Sequence, residues 1–71
     1  MNLKRLNISD FIEPELQVLR KYCNFTEPEL TYFNLRAKGK SNVQISMEMN
    51  VSESTVSLLA KKVKQKILRV L

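Results

Sequence analysis

Apolar residues recur along most of this chain at steps of three and four, the period of a helix with one buried face. Ile12, Leu16, Leu19 and Cys23 form the first such stripe, widened by Phe11 and Tyr22. It follows the capping residues Ser9 and Asp10 and stops at Asn24, with Pro14 admissible only in the first turn. A second helix starts at Thr26, whose spacing to Glu29 has the form of a capping box. Leu30, Phe33 and Ala37 line its face, with Tyr32 and Leu35 beside them. Gly39 supplies a left-handed stop, and Arg36, Lys38 and Lys40 gather at the negative end of the helix dipole. A short third helix is capped by Ser41 and anchored by Val43, Ile45 and Met49. Asn50, the non-glycine type that best tolerates positive φ, makes a sharp turn. Ser52 then caps a last helix with a stripe of Val56, Leu59, Ala60, Val63, Ile67 and Val70.

The predicted fold is therefore all-α, a single four-helix domain over 1–71 with helices near 10–23, 26–38, 42–49 and 53–70. Residues 10–24 form an N-terminal helix and 25–71 a helix-turn-helix core. Phe11-Ile12-Glu13-Pro14-Glu15-Leu16 recurs as Phe25-Thr26-Glu27-Pro28-Glu29-Leu30. Its period is too short for a solenoid, and the same helix start used twice explains it.

Composition sharpens this picture. The chain has 71 residues, one Gly and two Pro, too few punctuators for a many-stranded sheet. Its net charge of +5 is unevenly spread. Residues 1–35 carry four basic and five acidic side chains, and residues 36–71 carry eight and two, so the halves are −1 and +6. A basic half on a neutral one suggests a face for a polyanion, although solubility alone also favours a mildly basic surface. There is no His and one Cys, Cys23, which removes zinc ligation, histidine general-base chemistry and an internal disulfide. No catalytic constellation, metal site or cofactor is expected. The start, Met-Asn-Leu-Lys-Arg, leads into no long apolar run, so a cytoplasmic protein without a membrane span is expected. The glutamates at positions 13, 15, 27 and 29 sit at helix starts, where the dipole accounts for them.

Two helices joined by a three-residue turn form an ordinary hairpin unless they cross steeply. Ser46 is small enough for close crossing, Asn50 follows four positions later, and branched Val56 six positions after that. Ile45, Met49, Val51 and Leu59 fill the remaining packing positions of a helix-turn-helix. The run Phe25-Thr26, Glu29, Tyr32-Phe33, Leu35, Ala37, Gly39, Ser41-Asn42, Ile45-Ser46 and then Val51 to Val56 resembles the LuxR/GerE family of DNA-binding domains. Region 4 of bacterial sigma factors has a related pattern. The resemblance covers about residues 25–70 and implies major-groove binding of double-stranded DNA.

Carried over by position, the resemblance implies phosphate contact by Ser54 and Thr55, and base-edge contact by Ser57, Leu58 and Lys61. Lys62, Lys40 and Lys64 would hold backbone phosphates, whereas Lys66 and Arg69 read as a solvated helix end. Thr55 has the simpler reading of a helix-cap residue, and Met47 and Met49 that of core and filler. The family carries a basic residue where this chain has Ser57. Its subunit-pairing helix after the recognition helix has no counterpart before Leu71, and an extra helix precedes the core instead. Homodimer formation is expected, through Leu68, Val70 and Leu71 or through the N-terminal helix. Two alternatives use the same fold. One is a sigma-region-4-like module that contacts RNA polymerase through its acidic, aromatic N-terminal helix, and the other is a protein-interaction domain without DNA binding.

Overall fold

A computed structural model of the protein describes residues 7–71; the first six residues of the expected domain lie outside the described residues. Four α-helices run Glu13–Tyr22 (α1), Glu27–Ala37 (α2), Asn42–Met49 (α3) and Glu53–Val70 (α4), after one 3-10 turn at Ile8–Asp10. There is no strand among the described residues.

The start of α1 differs from the expectation of a helix from residue 10. Asp10 closes the 3-10 turn, and Phe11 and Ile12 are extended before the helix opens at Glu13. Pro14 accounts for the break. A proline ring collides with the carbonyl four residues back and has no N–H to bond to it, so a helix cannot run from Asp10 through Pro14. Ser9 consequently caps nothing in α1, and its hydroxyl donates to Asn7 Oδ1 at 2.8 Å. Ile12 becomes the N-cap and is left 64% exposed, outside the stripe it was expected to extend.

The repeated Phe-x-Glu-Pro-Glu-Leu start has a shared mechanism. Glu15 accepts the Ile12 N–H at 2.9 Å, and Glu29 accepts the Thr26 N–H at 2.8 Å. Each carboxylate satisfies one of the donors that a helix start leaves free. Among the described residues, three with positive φ punctuate the chain: Asn24, Gly39 and Asn50. After Gly39 the Lys40 N–H donates back to the Leu35 carbonyl at 3.2 Å, and after Asn50 the Val51 N–H donates to the Ser46 carbonyl at 3.0 Å. Both are six-to-one closures that occupy carbonyls at a helix end.

α4 is the central element, packed against α2, α3 and α1. Its Val56, Val63 and Ile67 are wholly buried with Phe33 of α2 and Ile45 of α3. Leu16, Leu19 and Cys23 of α1, Tyr32 of α2 and Ile8 of the 3-10 turn complete the core. Phe25 lies against Phe33, with ring centroids 4.9 Å apart. The Arg20 guanidinium also stands 5.6 Å from the Phe33 ring centroid. Arg20 also donates to Asn34 Oδ1 at 2.9 Å and to Glu13 at 3.0 Å, which ties α1 to α2. Tyr22, expected to widen the α1 stripe, is instead mostly exposed.

Candidate nucleic-acid interface

The α3–turn–α4 unit is held by Ile45, Ser46, Asn50 and Val56, as its spacing predicts. Val43, Met47 and Val51, expected as anchor, core or filler, and packing position, are exposed because no neighbouring helix covers their side of the unit. Ser46 is buried between the helices, and its hydroxyl donates to the Val43 carbonyl at 2.6 Å, so a polar group sits inside without an unmet bond. Asn50 adopts the left-handed conformation at φ 58° and ψ 47°. Val56 locks the first turn of α4 into the core. The Ser52 hydroxyl accepts the Thr55 N–H at 3.2 Å and lies 3.0 Å from the Thr55 hydroxyl. Thr55 is thus part of the cap.

With Val56, Val63 and Ile67 facing inward, the helical period turns Ser54, Ser57, Leu58, Lys61 and Gln65 outward on one stripe, all of them exposed. Leu58 is 59% exposed, a large apolar side chain left in water in the middle of a polar face. Lys62 and Lys64 are exposed on opposite flanks of the same stripe. Gln65 was not singled out from the sequence. The four-residue step from Lys61 places it there, and its amide both donates and accepts, as adenine readout requires.

Lys40 stands apart from α4, in the loop between α2 and α3. Its ammonium is 3.4 Å from Glu48 on α3, and its carbonyl accepts from Arg36 at 2.8 Å. Both partners of the Lys40–Glu48 pair are well exposed, so the pairing is weak and leaves Lys40 able to exchange Glu48 for another anion.

Lys66 departs most from expectation. It is not a solvated helix end. Its ammonium donates to the Asn24 carbonyl at 3.1 Å and to the carboxylate of Glu29, which is 4% exposed. Burial alone would push the Glu29 carboxyl up, but the bond from Lys66 and those from Thr26 outweigh it and hold the group below its ordinary value. Glu29 therefore does two things: it caps α2 and anchors the second half of α4. Burial likewise raises the Cys23 thiol, and the nearby Lys66 charge offsets this only in part, so Cys23 is kept as a small inert core residue. No group of three metal-ligating side chains occurs among the described residues, and none of their helices is long and apolar enough to cross a membrane.

A short helix packed on a long one through a left-handed turn, with an exposed polar face on the long helix, defines a helix-turn-helix protein of the DNA-binding class. The model of a family described as bacterial regulatory proteins, luxR family, matches residues 23–68. The chain belongs to this family, whose members are DNA-binding transcription regulators and not enzymes. No curated protein and no solved structure matches the chain. The match begins at residue 23, just after α1.

Proposed function

We propose that this protein binds duplex DNA sequence-specifically through α4 in the major groove and thereby controls transcription in the bacterial cytoplasm. The exposed stripe on α4, with Lys61 at its centre, supports this reading most directly. Lys61 donates to guanine, Leu58 meets a thymine methyl, and Ser57 bonds to a base edge. Ser57 is short, so this surface reads bases with one charged side chain and otherwise by fit. Ser54, Thr55 and the free N–H groups at the start of α4 hold a phosphate. Lys62, Lys64 and Lys40 hold the backbone on either side, and no catalytic step is involved. Two copies on adjacent half-sites supply the affinity that one recognition helix lacks.

Fluorescence anisotropy with labelled genomic fragments tests the reading. Binding should strengthen for a subset of fragments and weaken as salt is added, with a log–log slope of about −0.9 for each phosphate contact. No salt-sensitive binding even at low ionic strength would overturn it. Uniform affinity for every fragment would remove the sequence-specific part.

A further inference from the structure

Six of the seven acidic side chains stand in the first turn of a helix, where the positive end of the dipole favours them. They are Asp10 in the 3-10 turn, Glu13 and Glu15 in α1, Glu27 and Glu29 in α2, and Glu53 in α4. Glu48 is the exception. It stands in the last turn of α3, where the dipole opposes a negative charge, and it lies in the basic half of the chain. Its carboxylate is 3.4 Å from the Lys40 ammonium, its one ion-pair partner among the described residues. The stability of α3 does not account for Glu48, whereas the lysine beside it does.

Lys40 is fixed at its backbone and free at its ammonium. Gly39 before it adopts φ 86°, and Ser41 after it caps α3. The Lys40 N–H donates to the Leu35 carbonyl at 3.2 Å, and its own carbonyl accepts from Arg36 at 2.8 Å. A flexible stem then carries the charge out from this pinned position. The ion pair is loose. Its 3.4 Å exceeds the roughly 2.8 Å of a close charge-assisted bond, and both side chains are more than one-third exposed. Such a pair contributes little and exchanges readily in the field of a polyanion.

We infer that Glu48 occupies, in the free protein, the place that a DNA phosphate takes on binding. It thereby lowers affinity for duplex DNA without altering which sequence is preferred. The inference rests on the proposed phosphate contact of Lys40 and adds an internal competitor to it. A carboxylate and a phosphodiester offer an ammonium the same chemistry, an anionic oxygen acceptor, so Lys40 releases one as it takes the other. The released Glu48 is then uncompensated at the negative end of α3, whatever bases lie under α4. Glu48 sets how tightly the protein binds, and the stripe on α4 sets where.

Glu48→Gln keeps the size of the side chain and removes its charge. Anisotropy titrations at low ionic strength, on one preferred and one non-preferred duplex, compare the wild type, Glu48→Gln, Lys40→Ala and the double variant. Glu48→Gln should tighten both duplexes by the same factor, roughly two- to fivefold, and Lys40→Ala should weaken both. In the Lys40→Ala background the gain from Glu48→Gln should be much smaller, since no ammonium is left to release. An equal gain in both backgrounds overturns the inference, because Glu48 then acts by plain repulsion of DNA. So does a Glu48→Gln protein that binds no tighter than the wild type, or one whose preference between the duplexes changes. If none of the four proteins binds DNA, the proposed interface fails and this inference with it. Binding without coupling between positions 40 and 48 removes this inference alone.

Discussion

The two halves of α4 belong to one uninterrupted helix yet are held in different ways. Its first half is fastened to the protein on one side by Val56 and presents Ser54, Ser57, Leu58 and Lys61 to solvent on the other. Its second half is gripped by Val63 and Ile67, by the Lys66–Glu29 pair and by α1. A lysine at position 61 is free and one at position 66 is spent on the fold. Residue type therefore says little about which cation of a basic helix is left free for a ligand, and the partner supplied by another helix says a great deal.

The contrast predicts a ranked set of effects. Ile67→Ala should be the most damaging, costing about 3 kcal/mol because it leaves a cavity in a fully buried site. In a chain this short, with total stability on the order of 5 kcal/mol, thermal unfolding should show a large drop in midpoint. Lys66→Ala should follow at about 2 kcal/mol, since it strands the buried Glu29 carboxylate; the partial exposure of Lys66 keeps the figure below that of a fully buried pair.

The same pair sets an acid dependence. Glu29 has a folded-state value below its unfolded one, near 4.3, so its contribution is complete above about pH 5. That contribution is lost as pH falls through the lower folded value. In Lys66→Ala burial acts with less opposition, and the loss of stability on acidification should shrink or reverse. Melting curves of both proteins from pH 7 to pH 3 check the sign. If both lose stability equally, the Lys66 pairing is not what holds Glu29 charged.

Substitutions in the outward stripe should leave stability alone. Lys61→Ala should cost about 1–2 kcal/mol of discrimination between preferred and non-preferred fragments, measured by competition. The smallest effect is expected for Lys62→Ala, which should weaken all fragments alike and lower the magnitude of the salt slope by about 0.9. If Lys62→Ala changed preference and Lys61→Ala did not, the roles of stripe and flank would have to be exchanged.

Much of this architecture was legible along the chain. The starts of α2, α3 and α4 follow from Thr26, Ser41 and Ser52, and their ends or turns from Gly39 and Asn50, because caps and left-handed stops act within a few residues. The packing of Ser46 and Val56 followed from the spacing of a helix-turn-helix. The start of α1 was misplaced by weighing Ser9 and Asp10 as caps above the clash that Pro14 forces four residues back. Ile12 and Tyr22 matched the apolar period but had nothing to pack against, and a period does not reveal the width of the face a neighbour covers.

By itself, then, the sequence determined α2, α3 and α4, the existence of α1, the turn between α3 and α4, and the outward direction of Ser54, Ser57, Leu58 and Lys61, all consequences of local spacing and one buried stripe. Tertiary structure alone decided that Lys66 is withdrawn from solvent, since its partner is 37 residues away and reaches it only because α2 crosses α4 at that point. It also decided that α1 lays an apolar strip beside the end of α4, a juxtaposition of residues more than 50 positions apart that no periodicity encodes. Local chemistry has a range of about one helical turn, and everything beyond that depends on how the helices pack.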